Sequence, residues 1–121
     1  LRYVVAPHRG PDTVTAKRLG LEAVSPLLPI AAGSASSAPR FPLTVDSPAF
    51  VAMSLRPSAD GRAFILRLLN ASDRPEALRL SGTAFDRRRV FLSDVDGTEG
   101  ARLSAPLEVP AFGILTLRIS R

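Results

Sequence analysis

The stretch VFLSDVDGTEG, residues 90–100, carries the residue types best suited to chemistry in this sequence of 121 residues. Asp94 and Asp96 stand one residue apart directly after an apolar run, and Thr98 follows them. Carboxylates serve proteins as nucleophiles, as general acids and as calcium ligands. These side chains are therefore the first candidates for a catalytic or calcium-binding site.

The order Asp-x-Asp-Gly-Thr after a strand resembles the start of the haloacid-dehalogenase phosphohydrolases. The resemblance would make Asp94 the nucleophile, Asp96 the general acid and Thr98 a phosphate ligand. Such enzymes need an α/β scaffold, a helix after the motif, a later lysine and an acidic pair for magnesium. Here the only lysine, Lys17, lies far upstream, and no helical pattern follows the motif. Since Asp and Gly also favour tight turns, we predict a turn over residues 94–100.

Other catalytic constellations find little support in the sequence. The chain has no cysteine, which excludes disulfides, thiolate zinc sites and cysteine nucleophiles. Its single histidine, His8, follows Pro7 at the end of a predicted strand, and no Gly-x-Ser-x-Gly motif accompanies it. Asn70, Ala71 and Ser72 have the form of a glycosylation sequon, which matters only in a secretory compartment. We therefore predict no catalytic residue and no metal site.

The net charge of +5 comes almost entirely from arginines. Most of them alternate with apolar residues, as in ILRLL and LTLRIS, which indicates strands with arginine on the solvent face. Aromatic residues make up 6% of the chain, too few for base-stacking surfaces, so nucleic-acid binding is not expected. No apolar run approaches the roughly 20 residues of a membrane span. Absence of cysteine slightly favours the cytoplasm, but the compartment stays open.

Period-two patterns and turn residues predict an all-β fold. We expect an antiparallel β-sandwich of about seven or eight strands with one short helix near the N-terminus. An N-terminal arm over 1–30 contains a strand and a helix over 12–22 with Asp12 as N-cap, and a flexible loop over 31–40 leads to the sandwich body over 41–121. The predicted strands are 2–7, 41–46, 50–57, 63–70, 76–82, 87–93, 105–109 and 112–120.

Three ordered blocks resemble the family 38 glycoside hydrolases, the α-mannosidases. The first is LRYVVAPHRGP with SPLLPI, the second FVAMSLRPSADGRAFILRLLN, and the third LEVPAFGILTLRIS. The matching positions are Tyr3, Pro7, His8, Gly10, Pro26, Leu27, Val51, Ser54, Asp60, Gly61, Leu66, Arg67, Leu68, Asn70, Pro110, Phe112, Ile114, Thr116, Leu117 and Arg118. The blocks span most of the chain and follow the family's order.

The resemblance implies a C-terminal, non-catalytic β-sandwich domain of a retaining α-mannosidase. The catalytic carboxylates and the zinc ligands would lie in an α/β barrel elsewhere in the parent chain, so the 121 residues would need no cofactor and would not be an enzyme alone. The expected partners are the other domains of that chain and, in addition, α-mannosides. His8 and Arg67 are the candidate contacts to carbohydrate or to a neighbouring domain.

A second hypothesis treats the chain as a stand-alone carbohydrate-binding or adhesion β-sandwich, basic enough to favour acidic glycans. The opening LRYVV and the lack of an initiator methionine lead us to expect a piece of a longer protein. A domain separated from its neighbours exposes apolar surface, so we also expect the isolated chain to self-associate.

Overall fold

The protein is described by a computed structural model over residues 4–25, 43–87, 89–104 and 106–121. Within these ranges the chain forms nine strands and two helices, and every strand pair is antiparallel. The all-β, sandwich-like fold with a helix near the N-terminus is confirmed. The elements are α1 (Thr13–Val24), β1 (Thr44–Val45), β2 (Phe50–Pro57), β3 (Ala63–Asn70), β4 (Glu76–Leu78), β5 (Leu80–Ser81), α2 (Thr83–Asp86), β6 (Val90–Ser93), β7 (Glu99–Arg102), β8 (Leu107–Val109) and β9 (Ile114–Ser120).

A five-stranded sheet in the order β2-β3-β9-β6-β7 forms the main layer. Two small sheets, β1-β5 and β4-β8, contribute to the same core cluster. Because side chains alternate across a strand, the paired Leu66 and Leu117 and the paired Leu68 and Leu115 of β3 and β9 point to the same face. That inner face is buried with side chains from both small sheets and from α2: Leu66, Leu68, Leu78, Leu80, Ala84, Val90, Val109, Leu117 and Ile119.

The hairpin between β2 and β3 follows the predicted turn chemistry. Both strands have the predicted bounds, and Gly61 takes a φ of 68° while its N–H donates to Ser58 O at 2.9 Å. Because glycine has no Cβ, it adopts a positive φ without a steric clash, which is why Asp-Gly is common in such turns. A bulge between Ala52 and Ser54 shifts the register of β2 against β3.

Helix α1 begins at the predicted cap. The Asp12 carboxylate accepts the N–H groups of Val14 and Thr15, which satisfies two of the free donors at the helix start. The Thr15 hydroxyl, which also donates to this carboxylate, and then these backbone bonds hold the pKa of Asp12 below its usual value. Arg18 ties the helix to the loop before β2 by donating to Pro48 O at 2.7 Å. No residue of α1 is buried.

Several predicted strands differ from the structure because pairing partners distant in sequence decide them. The predicted strand at 2–7 is wrong over its described part, since residues 4–7 form no strand and are exposed. The predicted strand at 76–82 divides at Arg79 because β4 pairs with β8 and β5 pairs with β1. The strands predicted at 41–46, 87–93, 105–109 and 112–120 each start later or end earlier in the structure. The predicted loop at 31–40 lies outside the described residues.

Two elements were not predicted. Helix α2 is a single turn between two strands, and β7 forms the outer edge of the main sheet. Every residue of β7 is exposed, so the strand lacks the apolar alternation by which a half-buried strand is recognised.

Candidate functional site

The Asp94 stretch forms the turn of the β6-β7 hairpin, as predicted, except that its last two predicted residues, Glu99 and Gly100, belong to strand β7. The Gly97 N–H donates to Asp94 O at 3.1 Å, and Gly97 has a φ of 95°. Asp96 accepts from the Thr98 N–H and hydroxyl, both at 2.8 Å, and these bonds lower the pKa of Asp96. The carboxylates therefore stand at an antiparallel hairpin, in a geometry different from the parallel strand and helix that a phosphohydrolase of this type uses.

Residues 94–98, here called the flap, fold over the outer face of the main sheet. A Cβ added to Gly97 would lie 3.1 Å from Ile65 Cδ1, so the flap approaches the buried Ile65 closely. Two flap carbonyls accept from arginines of the sheet. Val95 O receives bonds from Arg56 at 3.3 Å and Arg67 at 3.5 Å, and Gly97 O receives one from Arg118 at 3.0 Å.

Arg118 is largely buried, with a side chain that is 12% exposed. Its Nη2 donates to Asp60 Oδ2 at 2.7 Å, and its Nε lies 3.5 Å from Glu99 Oε2. Within the described residues, that Nε atom is buried without a hydrogen bond. The ion pair joins the β2-β3 turn to β9, which links residues 58 positions apart.

Asp60 has a strongly lowered pKa, chiefly because the Ser58 hydroxyl and the Arg62 N–H donate to its carboxylate and secondarily because of Arg118. A carboxyl group whose pKa is lower in the folded state stabilises the fold above its unfolded pKa of about 3.9 and loses that effect in more acidic solution.

We expect the difference in unfolding free energy between wild type and Asp60→Asn to stay constant from about pH 5 to pH 7 and to shrink below about pH 4. Urea unfolding at a series of pH values measures it. Asp73→Asn, at an exposed turn residue, serves as the control. A difference that remains constant down to about pH 2 would contradict the ionic role of Asp60.

Arg67 lies in the middle of β3 and is half-buried on the outer face, opposite Ser54 on β2 and Thr116 on β9. This is the outward position that strand alternation indicates. Its guanidinium donates to the flap carbonyl Val95 O. Arg56 is displaced by two residues along β2 from Ser54, on the same face, and shares that carbonyl.

His8 lies in a different part of the molecule. Its Nδ1 is 2.7 Å from Gly10 O, and because a carbonyl can only accept, Nδ1 carries the hydrogen of this bond. The exposed ring lines an open, mainly apolar groove of about 680 Å³ between residues 4–8 and α1. His8 and Arg67 share no hydrogen bond, so the structure does not join these two predicted contact residues in one site.

The structural role of Asn70 was not predicted from the sequence. It is 0% exposed, and its Nδ2 donates to the carbonyls of Arg74 at 2.9 Å, Val109 at 3.1 Å and Pro110 at 2.9 Å. Its Oδ1 accepts from the Ser72 N–H. Nδ2 is the atom that would carry a glycan, so the sequon at Asn70 is closed in the folded chain.

These bonds clamp two turns together, residues 70–74 and 110–113, which we call the clamped turns. The Phe112 N–H donates to Ser72 O at 3.2 Å, and the Asn70 N–H donates to Gly113 O at 2.9 Å. Phe112 has a φ of 55° and is 56% exposed. A bulky residue in this left-handed region costs on the order of 1 kcal/mol or more, and here little burial of its ring offsets it.

Arg74 ends the first clamped turn, and the half-buried Glu76 begins β4 two residues later. Arg74 Nε donates to Glu76 Oε1 at 2.8 Å, and this carboxylate raises the pKa of Arg74. The Arg74 side chain is 78% exposed. No sequence motif marked this pair.

Metal-ligating groups and membrane-spanning helices are both absent from the described residues. No group of three or more His, Cys, Asp or Glu side chains that could hold a metal ion occurs among them. No helix there has the length and apolar character needed to cross a bilayer. Comparison with protein-family models, curated proteins and solved structures finds no match to this chain.

Proposed function

We propose that this chain is a non-catalytic β-sandwich domain of an α-mannosidase-like glycoside hydrolase that supports the catalytic barrel of the same polypeptide. The support is the way in which residues from separate blocks of the family 38 resemblance meet. Asp60 of the second block pairs with Arg118 of the third at 2.7 Å, and Asn70 bonds Pro110 at 2.9 Å. Leu66 faces Leu117 across β3 and β9.

These contacts offer a structural explanation for the positions that match in the resemblance. The matched positions of the second and third blocks fix the central strands and the turns at both ends of them, so a sequence that keeps the fold must keep their chemistry. The role proposed for them is to maintain a rigid domain. The chemistry of the parent would be two-carboxylate hydrolysis with zinc at the sugar hydroxyls, supplied by residues outside this chain.

The arm offers a surface for neighbouring domains. Val4, Val5 and Val24 are exposed, and the groove between residues 4–8 and α1 is mainly apolar. Exposed apolar clusters of this kind favour contact with another protein surface. The proposed partners are accordingly other domains of the parent chain, with α-mannosides as the substrate of the whole enzyme.

The test is hydrolysis of an aryl α-mannoside by the complete gene product. We expect turnover with retention of configuration, loss of turnover after zinc chelation, and no turnover by the 121-residue chain alone. A complete product that has no barrel with zinc-binding residues, or that leaves α-mannosides intact, would refute the proposal.

A stand-alone module for acidic glycans is the second candidate, and one observation favours it. Arg56 and Arg67 share a single carbonyl acceptor, and within the described residues neither guanidinium has a carboxylate within 4.0 Å. Two neighbouring cations without a paired acid attract an anionic group, although Asp94 and Asp96 on the flap oppose this attraction.

Under this second candidate, Arg56→Ala combined with Arg67→Ala should weaken binding to heparin at low salt by about tenfold, equivalent to about 1.4 kcal/mol. Elution from a heparin column under a salt gradient measures the effect, since screening weakens such contacts. Arg79→Ala combined with Arg89→Ala removes the same charge from two exposed positions and is the matched control. Equal elution of both double variants would exclude a specific site at Arg56 and Arg67.

A further inference from the structure

The clamped turns hold an exposed aromatic ring in a backbone conformation that glycine would adopt more easily. Phe112 is the only non-glycine residue with a positive φ in the described ranges. Gly113, directly after it, is itself constrained, because an added Cβ would lie 2.9 Å from Pro110 O. Strain of this kind persists where the surrounding structure fixes it, and it is concentrated at functional positions.

The surroundings of Phe112 are fixed by buried polar bonds. Asn70 Nδ2 reaches both Arg74 O and Pro110 O at 2.9 Å, so the two turns are held side by side through one nitrogen. The Phe112 N–H is bonded to Ser72 O in the same arrangement. The ring is therefore presented on a preorganised support, which reduces the entropy that a ligand contact would cost.

Polar groups suited to a hydroxyl-rich ligand belong to the neighbouring turn. The Ser72 hydroxyl lies 3.5 Å from Glu76 Oε1 and 3.4 Å from Arg74 O. The Arg74–Glu76 pair, in which the arginine side chain is 78% exposed and the glutamate side chain 28%, offers guanidinium donors and carboxylate acceptors. The two turns that Asn70 joins thus supply an exposed aromatic ring from one turn and a charged donor-acceptor pair at the end of the other. These groups suit the two sides of a pyranose, whose C–H face is apolar and whose hydroxyls both donate and accept.

We propose that the clamped turns form a carbohydrate subsite in which a neutral pyranose stacks on Phe112 and hydrogen bonds to Arg74 and Glu76. The choice of carbohydrate as the ligand class rests on the proposed function. The position differs from the contacts predicted from the sequence and from the second candidate, since the subsite contains neither His8 nor Arg56 and Arg67.

The experiment follows backbone amide signals of the 121-residue chain during titration with methyl α-mannoside, methyl α-glucoside and methyl β-galactoside. We expect saturable shifts at Arg74, Phe112 and Gly113 with at least one of the sugars. Phe112→Ala should weaken binding by about tenfold or more, whereas Phe112→Trp should retain it. Val95→Ala, which truncates an exposed apolar side chain on the flap, should leave binding unchanged.

Two further variants distinguish a loss of sugar binding from a loss of folding. Glu76→Gln preserves the shape of the side chain and should weaken sugar binding while the spectrum remains that of the folded chain. Phe112→Gly should abolish binding without lowering the melting temperature, because glycine relieves the positive φ. A ring with only a structural role would give the opposite result, a lower melting temperature.

The outcomes separate this subsite from the proposed function. Absence of shifts with all three sugars, or shifts confined to His8 or the flap, overturns the subsite even if the complete gene product hydrolyses α-mannosides. Saturable shifts at the clamped turns support it even if that product has no mannosidase activity, in which case the proposed function fails alone.

Discussion

Replacement of Asn70 by alanine is expected to lower the free energy of unfolding by about 3 kcal/mol or more. The side chain is fully buried, and its Nδ2 satisfies the carbonyls of Arg74, Val109 and Pro110. Alanine would remove the two Nδ2 hydrogens that these carbonyls share and would leave the Ser72 N–H without its present acceptor. Pro110 O would keep its bond from the Gly113 N–H and Arg74 O its contact with the Ser72 hydroxyl. Each buried polar group left unsatisfied costs about 1–3 kcal/mol, and entry of water would reduce the total.

Urea unfolding followed by circular dichroism measures this effect. Asn70→Asp is the informative companion, because it keeps the size and the acceptor oxygen but loses the Nδ2 donors, so it should destabilise the fold as well. Ser81→Ala, at an exposed strand residue, is the control and should change the unfolding free energy by less than about 0.5 kcal/mol. Near-normal stability of both Asn70 variants would show that the clamped turns are held by other contacts.

Truncation of Leu117 to alanine should cost about 3 kcal/mol, within the range measured for buried leucines. Leu117 is 0% exposed and lies in β9 between Leu66 of β3 and Leu92 of β6. These partners belong to backbone-paired strands of the main sheet and cannot close the gap easily. The cavity would therefore persist and add to the lost transfer free energy.

Ile114 on the same strand supplies the matched control. It is 60% exposed, so Ile114→Ala removes the same number of side-chain carbons from the same strand without opening a cavity, and it should cost less than about 0.5 kcal/mol. Thermal or urea unfolding compares the two variants. Similar losses for both would mean that β-propensity in β9, rather than core packing, determines its stability.

Local chemistry was sufficient to predict some elements. Asp60-Gly61 defined the hairpin, so β2 and β3 have the predicted bounds, and Asp12 marked the start of α1. Where a partner far along the chain decides the structure, prediction failed. Arg79 separates β4 from β5 because β4 pairs with β8 and β5 pairs with β1. No residue near Arg79 indicates this change of partner.

The candidate sites divide in the same way. The turn at residues 94–97 was predictable from Asp and Gly, but its folding over Ile65 and its bonds to Arg56 and Arg67 were not. The sequence showed Asn70 only as part of a possible sequon, and it is the carbonyls of Val109 and Pro110, about 40 positions away, that make it a core residue. The role of Phe112 depends on a backbone angle, which composition does not reveal.

The strand order of the main sheet has a consequence for synthesis of the protein. β9 lies between β3 and β6, yet it is the last strand of the sheet to leave the ribosome. Until then the β2-β3 hairpin exposes one edge of β3, whose residues include Ile65, Leu66 and Leu68, and an open apolar edge of this kind recruits strands from other chains. Aggregation of nascent chains should therefore be greatest when translation stalls between residues 70 and 114, and completion of β9 should end it.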